Sequence, residues 1–292
     1  MTADRPLGRR ITKEKLVLLG TKGGPRPSLS RSNPANLICS PGRNYLIDCG
    51  YGVTRQLLAA GMQPHEVDTI LITHHHSDHT LELGPFLYNA WVVGRRTQVD
   101  IWGPPPLRQL VDGFFQANLF EIETRMSDEG RFDPRPLFRV HEFEQPGILI
   151  EGDGIKITAG TVRHPPLRHA FAYRFDLQDR SFVLSGDTAA CPDLIDLAKG
   201  ADVLVHEVMH LDSLPKLVAG LPNAPHLRAH LIASHTTTGD VGKIATRAEV
   251  GMLVLNHLVP GDDASIADEV WLAAARSDFM GPVLLGCDLM VI

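Results

Sequence analysis

Residues 74–79 read His-His-His-Ser-Asp-His, and this hexapeptide decides the fold of the chain. Four of its side chains follow the spacing His74-x-His76-x-Asp78-His79. Directly before it, residues 68–73 form an apolar run with β-branched members, which predicts a buried strand. A rigid strand that ends in imidazoles and a carboxylate is typical of a metal site, because the following turn can aim several side chains at one point.

Length and composition point to an ordinary globular protein. A chain of 292 residues fits one large domain, which we expect to span residues 1–292. The net charge of −6 gives no electrostatic case for nucleic acid as a partner. No stretch approaches the ~18 uninterrupted apolar residues of a membrane span. Residues 1–15 are basic without a following apolar region, and the four cysteines form no CxxC pair, so we expect a cytoplasmic protein without a secretory signal.

Short apolar runs alternate with helical patterns along the chain. Strands are predicted at 16–20, 35–40, 44–48, 67–73, 99–103, 148–151, 155–162, 171–175, 181–184, 203–205 and 252–255. Helices are predicted at 53–60, 82–91, 107–120, 192–199, 240–248 and 265–276. The charged residues 121–139 lack periodicity and are predicted to form a surface excursion, serving as a lid or a dimer contact. The alternation predicts two sheets between helices in one domain.

Candidate metal ligands follow several of these strands. Besides the hexapeptide they are His164, Asp187 and His257, each at a predicted strand end. One sheet edge can therefore bring them together. Imidazole nitrogens and carboxylate oxygens without thiolates suit Zn²⁺ or a similar divalent ion.

This motif set resembles the metallo-β-lactamase superfamily, in the ribonuclease Z-like and arylsulfatase-like branch of metal-dependent hydrolases. The HxHxDH motif, the lone His164, the Ser-Gly-Asp-Thr at 185–188 and the Asn-His at 256–257 stand in the family's order. The resemblance implies an α/β fold, the four-layer αββα sandwich with two mixed sheets flanked by helices.

The resemblance also implies two divalent metal ions, expected to be Zn²⁺, with Mn²⁺ or Fe as alternatives. The first would be held by His74, His76 and His164. The second would be held by Asp78, His79 and His257, and Asp187 would bridge both ions. Asp78 is also expected to be one of the catalytic residues. A hydroxide between the ions would be the nucleophile, because metal coordination lowers the pKa of water from ~15.7 towards ~7. His75 occupies the variable position and is expected to point away.

A second constellation joins His235 and Glu207. By resemblance, His235 would be the general acid that protonates the leaving oxygen, and Glu207 would orient it and raise its pKa. The alternative is that the two only pair structurally. His210, His226 and His230 lie nearby in the sequence and receive no role.

The substrate is left open between several classes. Ribonuclease Z cuts precursor transfer RNA and clamps it with a basic arm, inserted in the bacterial form between the lone histidine and the bridging aspartate. Only 22 residues separate His164 from Asp187 here, so no arm fits. We therefore expect a hydrolase of a small-molecule ester, most favourably a phosphodiester or aryl sulfate, with nucleic acid unlikely and a homodimer possible. The alternatives are a ribonuclease Z-type transfer RNA 3′ endonuclease lacking the arm, a lactone or carboxylic ester hydrolase and, disfavoured by the complete second ligand set, a mononuclear iron oxygenase.

Overall fold

A computed structural model describes residues 14–292. The prediction that the chain has no secretory signal was drawn from residues 1–15. Residues 1–13 of this segment lie outside the described residues. The strands are β1 Lys15–Gly20, β2 Ala35–Ser40, β3 Arg43–Ile47, β4 Thr69–Leu71, β5 Val99–Gly103, β6 Phe138–Glu142, β7 Gly147–Gly152, β8 Ile155–Thr161, β9 Phe171–Asp176, β10 Ser181–Leu184, β11 Val203–Met209, β12 Leu253–Val259, β13 Val283–Leu285 and β14 Met290–Val291.

The strands form two seven-stranded mixed sheets. The first has the order β14-β1-β2-β3-β4-β5-β6, and the second has the order β13-β12-β11-β10-β9-β8-β7. In the first sheet β14 to β3 pair antiparallel and β3 to β6 pair parallel. In the second sheet β7 to β10 pair antiparallel and β10 to β13 pair parallel. The predicted pair of mixed sheets is confirmed.

Helices cover the outer face of each sheet, and others lie at one edge of the sandwich. They are α1 Val53–Ala59, α2 Ser77–Thr80, α3 Leu83–Val92, α4 Leu107–Ala117, α5 Leu119–Glu129, α6 Pro192–Ala198, α7 Leu214–Val218, α8 Ala224–Ser234, α9 Thr238–Arg247 and α10 Asp268–Arg276, with short 3₁₀ turns at Pro64–Glu66, Arg135–Leu137 and Leu211–Ser213. Within residues 14–292, none of these helices combines the length and the apolar character needed to cross a membrane.

Three apolar layers hold the sandwich together. Between the sheets, Tyr45 and Leu71 of the first meet Tyr173 and Phe182 of the second. The outer face of the first sheet packs on α1, α3 and α4, and that of the second packs on α6, α9 and α10. Burying apolar side chains on both faces of a sheet requires this order of layers. The four-layer αββα architecture is confirmed.

The segment 121–139, predicted as a surface excursion, contains regular structure. Most of its first half belongs to α5, where Arg125 pairs with both Glu121 and Glu129 one turn away on either side. Ile122 and Leu137 are buried in the layer between the first sheet and its helices. The lid and dimer roles of this segment stay predictions, since none of the described residues that line the pocket above the site comes from it.

Two strands extend further than predicted. β11 continues past Glu207 to Met209, and β12 continues past His257 to Val259. Their register shifts between Glu207 and Val208, and His257 has a φ of 43°. Such a bulge re-aims side chains without ending the strand. Helices α7 and α8 and strands β6, β13 and β14 were not predicted at all.

Candidate metal centre

The candidate ligands meet at one edge of the sandwich because the strands before them end there. β4 leads into the hexapeptide, whose Asp78 and His79 lie in the single turn of α2. β8 and β10 run in the same direction in the second sheet and lead into His164 and Asp187. His257 lies on β12, which is parallel to the neighbouring strand β11. The structure thus brings all seven predicted positions together.

The first group consists of three imidazoles around one carboxylate oxygen. His76 Nδ1 lies 3.2 Å from His74 Nε2 and 3.0 Å from His164 Nε2. Asp187 Oδ2 lies 3.7 Å from His74 Nε2 and 3.8 Å from His164 Nε2. The four ligand atoms are all within 4.8 Å of one another, which is a spacing that one ion could fill.

The second group lies around the other oxygen of the same carboxylate. Asp187 Oδ1 is 3.2 Å from His79 Nε2 and 3.0 Å from His257 Nε2. Asp78 Oδ2 is 3.5 Å from His257 Nε2 and 3.7 Å from His79 Nε2. Asp187 therefore directs one oxygen to each group, as a shared anion between two cations would.

Three buried atoms of the second group support a cation there. Among the residues that the structure describes, His79 Nε2, His257 Nε2 and Asp187 Oδ1 form no hydrogen bond of good geometry, although Asp187 Oδ1 lies 3.2 Å and 3.0 Å from the two nitrogens. Buried polar atoms are nearly always well paired, so this crowding of two nitrogens around one oxygen suits a bound cation. The donor set of imidazoles and carboxylates fits a borderline divalent metal such as Zn²⁺.

The two groups differ in electrostatics. Burial lowers the pKa of His76 to about 4 and that of His74 well below its usual value, so both imidazoles are neutral, as ligands must be. Burial would also lower the pKa of His257, but Asp187 and Asp78 raise it to about 10. The carboxylates therefore hold a proton where the second ion would bind, and metal binding would release it.

Hydrogen bonds behind the ligands fix their orientation. His79 Nδ1 lies 2.8 Å from Asp48 Oδ2, while Asp48 Oδ1 accepts the backbone N–H of Thr73 at 2.8 Å. His164 Nδ1 lies 2.9 Å from the carbonyl oxygen of Ser234. Because Nδ1 donates in both contacts, Nε2 keeps its lone pair for a metal.

His235 and Glu207 form a buried pair beside the second group. Glu207 Oε1 is 3.1 Å from His235 Nδ1 and accepts the backbone N–H groups of Thr188 at 2.9 Å and Thr236 at 3.2 Å. The His235 ring stacks on that of His257 at a centroid distance of 5.6 Å. Burial lowers the pKa of His235, but the Glu207 carboxylate, together with Asp187, outweighs burial, so the net pKa is raised. The pair can hold a proton at the site.

The remaining histidines fall into different places. His75 Nε2 lies 2.7 Å from Pro104 O and belongs to neither metal group. His210 contacts Ser213, and His226 is exposed. His230 lines the pocket above the metal groups, although no role was predicted for it from the sequence. An unpredicted helix, α8, carries it there, so no local pattern marked it.

The pocket over the centre has a volume of about 270 Å³. Its floor is formed by His76, Asp78 and Asp187. One side is the loop 23–26, which follows β1. The apolar part of the lining comes mainly from α7, α8 and the end of β12, with Leu217, Leu227, Leu231, Val259 and Pro260. A substrate at the metals would therefore touch one apolar wall.

The sequence of residues 43–258 matches the family described as "Beta-lactamase superfamily domain". The chain belongs to the metallo-β-lactamase superfamily. Within this superfamily it is ribonuclease Z-like, because it is 34% identical over 279 residues to Ribonuclease Z of Mycobacterium marinum (strain ATCC BAA-535 / M), covering 94% of this chain and 96% of that one. Ribonuclease Z of Mycobacterium bovis (strain BCG / Pasteur 1173P2) is 33% identical with the same coverage.

Solved structures of the superfamily share the fold. The metallo-β-lactamase fold protein YhfI from Bacillus subtilis has a TM-score of 0.69 at 22% identity, over 96% of this chain and 98% of its own. Human tRNase Z, short form, has a TM-score of 0.67 at 21% identity, over 95% and 98%. Membership of this superfamily places the chain among the metal-dependent hydrolases, whose centres bind two metal ions.

Proposed function

We propose that the protein is a two-metal phosphodiesterase of the ribonuclease Z type that acts on RNA. The observation that carries the proposal is the relative named Ribonuclease Z, which is 34% identical and matches almost end to end. This reverses the preference, drawn from the sequence, for a small-molecule ester. The expectation that nucleic acid is an unlikely partner conflicts with that relative's name.

The short span between His164 and Asp187 does not separate this chain from the relative. Their alignment runs over 279 residues, 94% of this chain and 96% of the other. A long arm present in only one chain would break this near-equal coverage. The lack of room for an arm is therefore compatible with a ribonuclease Z-type activity.

The proposed ligands are the seven residues of the two groups. His74, His76 and His164 would hold the first ion, Asp78, His79 and His257 would hold the second, and Asp187 would be shared. Zn²⁺ is the ion that this donor set favours. When bound, the pair of ions would supply a water-derived nucleophile at neutral pH and offset charge on the phosphate.

The protein's own residues would handle the proton. His235 lines the pocket, and its Nδ1 is committed to Glu207. Its Nε2 is thus the ring nitrogen available to give a proton to the departing oxygen. Glu207 would keep the imidazole oriented and protonated, because a neighbouring carboxylate stabilises the imidazolium.

A small-molecule ester remains the second candidate, and the shape of the pocket favours it. A cavity of about 270 Å³ with an apolar wall suits an aryl group beside the metals. A phosphodiester or an aryl sulfate would then be the substrate, ahead of a lactone or carboxylic ester. The net charge of −6 also agrees with a substrate smaller than RNA.

The deciding experiment offers both substrate classes to protein of known metal content. We expect about two metal ions per chain, cleavage of an RNA with a 3′ extension, and turnover of bis-p-nitrophenyl phosphate. His76→Ala should lose metal and both activities, while the adjacent His75→Ala, which contacts Pro104 instead, should keep them. Turnover of p-nitrophenyl sulfate with the RNA left intact would refute the ribonuclease proposal in favour of the small ester. A single iron per chain would refute both.

A further inference from the structure

Helix α8 turns a single face towards the pocket. Ala224, Leu227, His230, Leu231 and Ser234 are partly or fully buried, while the positions between them are exposed. This spacing of three and four residues is that of one helix face. Leu227, His230 and Leu231 from this face line the pocket, so α8 is a wall of the substrate site.

The end of α8 is fixed to the first metal group. The carbonyl oxygen of Ser234 accepts a hydrogen bond from His164 Nδ1 at 2.9 Å, and the Ser234 hydroxyl donates to the carbonyl of Pro165. His230 lies one turn earlier on the same face. Its ring centroid is 6.0 Å from those of His76 and His164, so it is beside the metals without being one of their ligands.

The hydrogen bonds of Ser234 determine which nitrogen of His230 carries the proton. Ser234 Oγ lies 3.3 Å from His230 Nδ1. The only hydrogen of this hydroxyl goes to Pro165 O, so the oxygen can only accept from the imidazole. Nδ1 of His230 is therefore protonated, and Nε2 keeps a lone pair. An imidazole of ordinary pKa, about 6.5, is mostly neutral at pH 7 and above.

A neutral imidazole with a free lone pair selects a particular kind of ligand group. Nε2 of His230 has no hydrogen-bond partner among residues 14–292. It can only accept, so an ionised phosphate oxygen, itself an acceptor, cannot bind there. The leucines on either side, Leu227 and Leu231, offer no polar group to a nucleobase edge. A hydroxyl close to the ester remains as the matching group.

We propose that His230 is a specificity-determining residue whose Nε2 accepts a hydrogen bond from the sugar hydroxyl next to the scissile phosphate. The inference rests on the proposed phosphodiesterase function and names the residue that would recognise a ribose phosphodiester. In these the carbon beside the ester carbon carries a free hydroxyl, which the 2′-deoxy analogue lacks. His230 lines the same pocket as His76 and Asp187, so a group next to the ester can contact it there.

The test compares two oligonucleotides that differ by one hydroxyl. One is all RNA, and the other has a single 2′-deoxyribose at the scissile nucleotide. For the metal-loaded wild type we expect kcat/KM to be roughly tenfold higher on the all-RNA substrate, the size of one hydrogen bond to a neutral group. His230→Leu should bring this ratio close to one. His230→Gln, which retains an acceptor, should restore part of it.

The exposed His226 on the same helix supplies the matched control, and His226→Leu should keep the wild-type ratio. An unchanged ratio in His230→Leu, or no ribose preference in the wild type, would overturn the inference. Turnover of bis-p-nitrophenyl phosphate by the wild type distinguishes a failure of the proposed His230 role from a failure of the proposed phosphodiesterase function. With that turnover present, a failed ratio refutes only the role of His230, whereas its absence together with uncut RNA refutes the phosphodiesterase as well.

Discussion

Replacing His235 by alanine tests whether the buried pair with Glu207 serves catalysis. His235 Nδ1 lies 3.1 Å from Glu207 Oε1, and the histidine is only 7% exposed, so its proton is held in a defined place. A positioned general acid contributes about 10²- to 10⁴-fold to a rate, or about 3–5 kcal/mol of barrier. An alkoxide leaving group needs that proton, whereas p-nitrophenolate departs without it. His235→Ala should therefore cost about 10²- to 10⁴-fold on alkyl phosphodiesters and less than about tenfold on nitrophenyl esters.

The assay is kcat/KM over a series of phosphodiesters that differ in the pKa of the leaving group. The variant should depend more steeply on this pKa than the wild type does. His210→Ala is the matched control, because His210 contacts Ser213 and Trp271 away from the metal groups. Equal losses on good and poor leaving groups, with metal content retained, would remove His235 from the acid role and leave the pair structural.

Further predictions concern the surroundings of the ligands. In Gly23→Ala the new methyl carbon would lie 2.7 Å from His257 Nδ1, so metal analysis should find about one ion lost per chain, while Gly113→Ala, which meets nothing within 4 Å, should keep both. Asp48→Asn should weaken binding of the second ion by about 10- to 100-fold in a chelator competition. Glu207→Gln should lower the pKa of the general acid His235. Activity on alkyl esters falls as pH rises through that pKa, so the variant should lose this activity at a lower pH than the wild type. A pH profile that does not shift would contradict this.

Much of the centre could be predicted because its residues follow regular strands. The run before His74 and the strands before His164 and Asp187 have clear apolar patterns, and strand ends converge by topology. His257 was predicted as a ligand, but the end of its strand was not, because β12 continues through it with an unusual backbone angle. A bulge inside a parallel strand leaves no compositional mark, so the strand was expected to end before it.

Helices α5 and α8 were not predicted because they lack the regular spacing of apolar residues by which a helix is recognised in a sequence. α5 buries little besides Ile122 and is supported by charge pairs along its exposed side. α8 alternates leucine with His230 and Ser234 on its inner face and has Ile232 exposed on its outer one. Its inner residues line the pocket and contact the metal centre, so they are not uniformly apolar. The helix therefore lacks the amphipathic pattern that predicts a helix from sequence.

The attachment of α8 ties substrate choice to metal affinity. The helix that forms the apolar wall also supplies, through Ser234, the carbonyl that orients His164. A change of substrate achieved by tilting this helix would disturb a first-group histidine, whereas exchanging Leu227 or Leu231 in place would not. Laboratory evolution of this scaffold should therefore accumulate side-chain swaps along α8 and avoid insertions or deletions within it.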